Sequence, residues 1–171
     1  MTPEQIANQI REVPDFPIPG ILFKDITTVL QNPHTFRASI DRLYDTVADL
    51  AIDQVVGMES RGFIFAAPVA YKLGAGFVPV RKLGKLPAET ISVEYELEYG
   101  ANTLEIHRDA IKPGQRVLVV DDLLATGGTV SATIELIESL GGEVAACIFL
   151  VELTFLAGRD RKITRLNSSH T

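Results

Sequence analysis

Residues 117–129 read VLVVDDLLATGGT, and this stretch decides the fold that we predict for the chain. The four apolar residues 117–120 are typical of a strand that is buried on both faces of a parallel sheet. Asp121 and Asp122 follow them, at the end of the strand where open α/β sheets bind ligands. Two adjacent carboxylates repel each other and need compensating cations or hydrogen-bond donors, and sugar hydroxyls are suitable donors.

The loop after the two carboxylates is suited to holding a phosphate group. Its residues are Ala125, Thr126, Gly127, Gly128 and Thr129. The glycines allow a close backbone approach, the threonines offer hydroxyl donors, and the start of the next helix favours an anion. The loop is not a Walker A motif, because no lysine follows its glycines. The alternative interpretation is an ordinary strand-to-helix turn with capping threonines.

The segment 117–129 resembles the phosphoribosyl pyrophosphate (PRPP) signature of the type I phosphoribosyltransferases. Other segments follow in the order of that family. Residues 16–26 (FPIPGILFKDI) resemble the base-binding segment of its adenine-using members, and residues 59–63 (ESRGF) resemble the pyrophosphate loop. Residues 81–87 (RKLGKLP) and 97–100 (LEYG) resemble the flap that closes over the reactants. Each segment alone is weakly specific, whereas their joint order is highly specific.

The resemblance implies a single α/β domain over residues 1–161, with a central, mainly parallel sheet flanked by helices, a β-hairpin flap and a small amino-terminal base-binding segment. It also implies a reaction. Ribose 5-phosphate would pass from PRPP to adenine, giving AMP and pyrophosphate, with Mg²⁺ held mainly by PRPP and no protein ligand named for it. Family members are commonly homodimers, so a homodimer is expected.

Periodicity and turn residues predict the same alternation of strands and helices. A helix is expected from Pro3, with Ile6, Ile10 and Val13 as its apolar stripe, and a longer one from Pro33. The remaining elements are strands at 54–58, 76–81, 117–120 and 144–151, helices at 62–73 and 129–140, and a hairpin that pairs 92–97 with 103–106.

The resemblance assigns a role to each candidate site residue. Asp121 and Asp122 bind the ribose hydroxyls, and residues 125–129 bind the 5-phosphate. Arg61, Arg81 and Lys85 bind pyrophosphate, with Arg61 also acting in catalysis. Leu22, Phe23, Lys24 and Leu123 surround adenine. Glu98 takes the proton from the attacking ring nitrogen, and Tyr99 orients the flap.

Ordinary structural roles are the alternatives for these side chains. Arg61 is also explained by a surface ion pair, and Arg81 with Lys85 by a solvated basic loop. Glu98 is also explained as an exposed hairpin carboxylate, and Phe23 as a core residue. His34, His107 and His170 lack metal-ligand spacing.

Composition bounds the function further. The chain has 171 residues, is 46% hydrophobic and carries a formal net charge of −6, which argues against broad nucleic-acid binding. Cys147 is its one cysteine, which fits a reducing cytoplasm and excludes an intrachain disulfide. No apolar stretch is long enough for a membrane helix, and no secretory signal is apparent.

The last ten residues, 162–171, form an atypical tail without helix or strand periodicity. With the two preceding residues they resemble a translated sequencing adapter, so we expect the natural sequence to stop near Arg161. The alternative is a genuine disordered tail. Without a natural final strand, the sheet would have an uncovered edge.

Two other functions remain open at this point. One is a phosphoribosyltransferase for another purine base, against which the segment 16–26 argues. The other is a PRPP-binding regulator without catalysis, although such proteins usually carry an added nucleic-acid-binding domain.

Overall fold

A seven-stranded sheet organises the chain, as a computed structural model describes it over residues 1–97, 100–124, 127–152 and 167–169. Its strands are β3 (Gln54–Met58), β4 (Gly76–Lys82), β5 (Thr90–Glu96), β6 (Ala101–His107), β7 (Arg116–Leu124), β8 (Glu143–Glu152) and β9 (Asn167–Ser169). Their order is β5-β6-β4-β3-β7-β8-β9. The strands from β4 to β9 in this order are parallel, whereas β5 and β6 form an antiparallel hairpin on β4. The mainly parallel sheet and the flap hairpin are therefore confirmed.

Five helices and a small hairpin complete the described structure. The hairpin pairs β1 (Arg11–Pro14) with β2 (Leu22–Asp25). The helices are α1 (Pro3–Ala7), α2 (Thr27–Leu30), α3 (Pro33–Val47), α4 (Arg61–Leu73) and α5 (Gly128–Ser139). Thr2 caps α1 through a capping box with Gln5, which satisfies two donors that the helix itself cannot.

The central strand β7 is buried on both faces, as its apolar run predicts. Val117, Leu118, Val119 and Val120 have no exposed surface. Val117 and Val119 belong to the core on the side of α5, and the other two belong to the core on the side of α3 and α4. The strand therefore has no solvated face, and a ligand can reach it only at its carboxyl end.

That end of β7 lies beside the end of β3, because Gly57 pairs with Val120 in parallel register. The chain leaves β3 through Glu59 and Ser60, joined by a cis peptide bond, and enters α4. It leaves β7 toward α5, which starts after Gly127 at a φ of +84°. Two strand-to-helix crossings thus open on one edge, as ligand sites of open α/β sheets require.

Some sequence expectations were wrong in detail. The first helix ends at Ala7, so Val13 lies in β1 rather than on a helical stripe, because a strand pairing takes over where the helix stops. β7 continues to Leu124, so the two carboxylates lie within the strand. The tail also contains strand structure: Asn167–Ser169 pairs with β8, since backbone groups pair at a sheet edge whatever the side-chain pattern.

Candidate active site

A cleft of about 380 Å³ opens at this edge of the sheet. Four separate parts of the chain line it: the residues after β3, the end of β4, the end of β7 and the start of α5. Among its lining residues are Glu59, Ser60, Arg61, Lys82, Asp121, Asp122, Leu123, Gly127 and Thr129. The fold therefore brings the carboxylate pair, together with Gly127 and Thr129 of the phosphate loop, to the ESRGF segment, which is far away in sequence.

The two carboxylates of the cleft have different surroundings. Asp121 Oδ1 accepts the backbone N–H of Asp122 at 2.8 Å, and it packs against Gly62, where an added Cβ would lie 2.8 Å from that oxygen. Burial, and then the adjacent charge of Asp122, raise the pKa of Asp121 well above its ordinary value. Ionisation of Asp121 is therefore disfavoured unless a cation or a hydrogen-bond donor compensates its charge.

Arg61 connects the carboxylate pair to the amino-terminal hairpin. Its Nε lies 3.0 Å from Oδ2 of Asp122, whose side chain is only 6% exposed. Its guanidinium carbon lies 5.7 Å from the ring centre of Phe23, within the range of a cation–π contact. The arginine itself is 42% exposed, so it pairs with a buried carboxylate while its charged head remains open to the cleft.

Glu59 lines the cleft and contacts three basic residues, of which Lys82 also lines the cleft whereas Arg81 and Lys85 are not among its lining residues. Its carboxylate accepts the backbone N–H of Lys82 at 2.8 Å and the Lys85 ammonium at 2.5 Å. Arg81 Nε lies 3.3 Å from the same carboxylate but lacks hydrogen-bond geometry. Burial alone would raise the pKa of Glu59, but the hydrogen bonds from Lys85 and Lys82 outweigh it and lower the pKa. Glu59 is therefore an ionised counter-charge for two cations.

The residues assigned to adenine are only partly brought to the cleft. Leu123 lines it. Phe23 contacts Arg61, which lines the cleft. Its ring packs edge-on against that of Phe16, with 5.1 Å between the ring centres, and it lines a second pocket. Leu22 is half exposed, and the Lys24 ammonium pairs with Glu12 at 3.0 Å. The structure thus places neither Leu22 nor Lys24 among the residues that line the cleft.

The start of α5 contacts the flap hairpin. The Thr129 hydroxyl lies 3.3 Å from the Tyr95 hydroxyl on β5. Gly127 and Gly128 are buried at the helix start. Ala125 and Thr126 of the phosphate loop, and Glu98 and Tyr99 of the flap, lie outside the described residues, so their assignments stay predictions.

The sequence did not single out Glu59 or Tyr95 as site residues. Glu59 stood in a segment that carried the resemblance, but its neighbour Arg61 has the more obvious chemistry. Tyr95 alternates with polar residues along β5 and gave no signal of its own. Contacts between residues that are distant in sequence become visible only in the folded structure.

The described part of the chain contains no cluster of three or more histidine, cysteine, aspartate or glutamate side chains able to hold a metal ion. Within the same residues, no helix has the length and apolar character needed to cross a membrane.

The model of the phosphoribosyl transferase domain family matches residues 25–170. An adenine phosphoribosyltransferase of Chloroflexus aurantiacus is 62% identical over 161 residues, covering 94% of this chain and 93% of the relative. The crystal structure of adenine phosphoribosyltransferase from Thermoanaerobacter pseudethanolicus has a TM-score of 0.94 at 55% identity and covers 99% of this chain and 100% of its own. The Saccharomyces cerevisiae enzyme, complexed with an imino-altritol bisphosphate and adenine, has a TM-score of 0.88 at 41% identity, covering 99% and 96%. The chain therefore belongs to the phosphoribosyltransferase family and, within it, to the adenine phosphoribosyltransferases.

Proposed function

We propose that this chain transfers ribose 5-phosphate from PRPP to adenine, producing AMP and pyrophosphate. The bond between the anomeric carbon and the pyrophosphate oxygen breaks, and its electron pair leaves with pyrophosphate. A bond forms from that carbon to the imidazole-ring nitrogen of adenine, whose proton passes to a base. One observation carries the proposal: a single cleft is lined by two carboxylates, a helix start suited to phosphate, and the basic residues Arg61 and Lys82, while Lys85 contacts the lining residue Glu59.

Asp121 and Asp122 hold the ribose in this proposal. Their carboxylates directly follow the fully buried residues 117–120 of β7, so their backbone is fixed in position before the substrate arrives. Ribose hydroxyls donate to them and replace the pairing that Asp122 now has with Arg61. The 5-phosphate sits at the start of α5, where residues 125–129 supply backbone N–H groups and hydroxyls. Holding both ends of the sugar places its anomeric carbon in the middle of the cleft.

Arg61, Arg81 and Lys85 receive the pyrophosphate group. Each of them faces a protein carboxylate, Asp122 or Glu59. Binding is therefore an exchange of counter-charges, with the leaving group taking the place of those carboxylates. Because bond breaking increases the charge on the leaving oxygen, cations that reach it stabilise the transition state more than the ground state.

Mg²⁺ fits this site as a substrate-held ion. The carboxylates that line the cleft are already engaged, Glu59 by Lys85 and Arg81, and Asp122 by Arg61. Mg²⁺ commonly keeps substrate phosphates and water as ligands, and PRPP supplies both phosphate and hydroxyl oxygens. When bound, the ion neutralises charge on the pyrophosphate leaving group. Removing Mg²⁺ with a chelator should abolish AMP formation while leaving the fold, measured by circular dichroism, unchanged.

Adenine enters between Leu123 and the segment containing Leu22, Phe23 and Lys24. Phe23 offers an aromatic face next to Arg61, and a flat base needs apolar faces with polar groups at its edge. Glu98 accepts the proton of the attacking nitrogen, and Tyr99 orients the flap that carries it. A homodimer in the cytoplasm completes the proposal, in keeping with the buried, unreactive setting of Cys147.

The test supplies purified protein with PRPP, Mg²⁺ and one purine base at a time, and quantifies nucleotide and pyrophosphate. AMP from adenine alone is expected. Asp122→Asn, which keeps the side-chain shape, should lose most activity, whereas Glu143→Gln, which alters a distant exposed ion pair with Arg116, should not. Nucleotide formed from hypoxanthine, guanine or xanthine instead would show that the enzyme uses a different base. PRPP binding without any product would favour a regulator.

A further inference from the structure

Glu105 on β6 is a buried carboxylate with no role in the function proposed above. It is only 8% exposed, and both of its oxygens are engaged. Oε1 accepts the backbone N–H of Gly84 at 2.8 Å, and Oε2 accepts the Thr90 hydroxyl at 2.8 Å. A buried carboxylate is costly unless such donors compensate it, so this arrangement requires an explanation.

The two donors mark the ends of one loop. Residues 83–89, which we call the cation loop, connect β4 to β5 and carry Lys85. Gly84 stands at the start of this loop at a φ of +84°, and Thr90 is the first residue of β5. Glu105 therefore joins the two ends of the cation loop through one side chain, from the strand that lies between β4 and β5 in the sheet.

Two further contacts hold the carboxyl end of the same loop. The Ala88 backbone N–H donates to Nε2 of His107 at 3.3 Å. The Arg108 backbone N–H donates to the Glu89 carbonyl at 2.9 Å. Contacts with β6 and with Arg108, which follows it, therefore hold the loop at its start and at its end, whereas the Lys85 side chain reaches Glu59 at the cleft.

We propose that Glu105 is a positioning residue for pyrophosphate binding, because it holds the backbone of Gly84 and the side chain of Thr90, on either side of Lys85 in the chain, without contacting the substrate. The inference rests on the proposed function, in which Lys85 binds the pyrophosphate group. Lys85 has a long, flexible side chain, so its ammonium can be placed reproducibly only if its backbone is held. Glu105 supplies this support from a rigid strand and through two short hydrogen bonds.

Charge and geometry predict opposite effects, which makes the proposal testable. If Glu105 acted only through its negative charge, removing that charge would strengthen the binding of an anion nearby. If it acts by holding the loop, removing its oxygens must weaken binding. Glu105→Gln separates the two cases, since its amide oxygen can accept from Gly84 and its amide nitrogen can donate to the Thr90 oxygen. It is the matched control for Glu105→Leu, which has neither group.

The experiment measures the Kd of inorganic pyrophosphate with Mg²⁺ by calorimetry, and KM for PRPP and for adenine. Glu105→Leu should weaken pyrophosphate binding and raise KM for PRPP by at least about tenfold, since small misplacements of binding groups cost up to ~10²-fold. KM for adenine should change little. Glu105→Gln should stay within about twofold of the native protein. Thr90→Val, which removes one donor and keeps the volume, should give an intermediate effect even if Glu105→Leu fails to fold.

Hydrogen exchange supplies a readout that does not depend on catalysis. Amides of residues 84–90 should exchange faster in Glu105→Leu and Thr90→Val than in Glu105→Gln. Faster exchange with unchanged pyrophosphate affinity would overturn the positioning role, as would tighter binding in Glu105→Gln and Glu105→Leu alike. If native protein failed to form AMP, the proposed function would be wrong, whereas a native enzyme with unaffected variants would refute the role of Glu105 alone.

Discussion

Replacing Gly62 with alanine should damage the cleft more than it damages the fold. An added Cβ at this position would lie 2.8 Å from Oδ1 of Asp121, whereas ordinary contact begins at 3.4 Å. One of the two groups must therefore move by about 0.6 Å, the difference between these distances. The carboxylate oxygen is held by the Asp122 backbone at 2.8 Å, so relief of the contact shifts the carboxylate pair relative to the start of α4.

The energetic consequence combines two opposing terms. Crowding a packed site lowers the free energy of unfolding by about 1–3 kcal/mol, whereas replacing a helical glycine with alanine raises it by ~0.5–1 kcal/mol. The net loss should be roughly 0–2.5 kcal/mol, or a few degrees in Tm for a chain of this size. The catalytic loss should be larger in proportion, because a misplacement of ~1 Å can cost about 10²-fold. We expect kcat/KM for PRPP to fall by about tenfold or more.

Gly142→Ala is the control, since it introduces comparable crowding far from the cleft. Its added Cβ would lie 2.7 Å from the Ile111 side chain and 2.9 Å from that of Ile137. This variant should lose stability yet retain its KM for PRPP. Thermal unfolding and steady-state kinetics at varied PRPP would compare the two. Normal kinetics in folded Gly62→Ala, or an equal kinetic defect in Gly142→Ala, would refute the argument from the carboxylate shift.

Three more substitutions or treatments test the electrostatics. Asp121→Asn should be more stable than the native chain at pH 7 but bind PRPP more weakly, because the raised pKa of Asp121 makes its ionisation costly above the ordinary pKa of 3.8. In urea titrations the stability advantage of the variant should shrink as the pH falls toward 4. An advantage that persists at pH 4 would contradict this explanation. Glu59→Gln should tighten inorganic pyrophosphate binding by about two- to fivefold by freeing Lys85 and Arg81 from a competing charge, whereas weaker binding in calorimetry would contradict this exchange. Cys147, whose burial raises its thiol pKa to about 12, should react with a thiol reagent at pH 8 only after denaturation, and rapid reaction of native protein would contradict its buried position.

The sequence allowed prediction of those elements whose pattern is local. The strand at 54–58 and the strand starting at residue 76 were predicted because β-branched or apolar runs lie between clear turn signals. The helix beginning at Pro33 was predicted because proline favours the first turn of a helix and apolar residues follow it at helical spacing. The β1–β2 hairpin was not, since its strands contain four residues each and depend on partners such as the Arg11–Asp25 ion pair at 2.7 Å. Pairing between distant residues leaves little trace in either segment.

The same distinction holds for the site. The carboxylate pair and the glycine loop were visible because one stretch of chain contains both. The link between Arg61 and Phe23, and the engagement of Lys85 by Glu59, required the packing of α4, the amino-terminal hairpin and the cation loop around one cleft. Charge pairing across the site is therefore a property of the assembled fold, and residue type alone could not distinguish a free cation from a paired one.

An acidic chain that binds a polyanion has to solve an electrostatic problem, and the arrangement of the cleft indicates how this one does so. Each cation assigned to pyrophosphate faces a carboxylate on a neighbouring element, so these three cations do not form an uncompensated positive patch. Such a patch would attract any phosphate compound, because unpaired charge draws counter-ions without regard to their shape. Paired cations instead favour a ligand that satisfies both partners at once: its pyrophosphate binds the cations while its ribose hydroxyls bind the released Asp122. PRPP offers both groups in one molecule, whereas inorganic phosphate offers neither the hydroxyls nor the second phosphate. Selectivity then follows from the cost of breaking existing ion pairs, which the complete substrate offsets better than either of its parts.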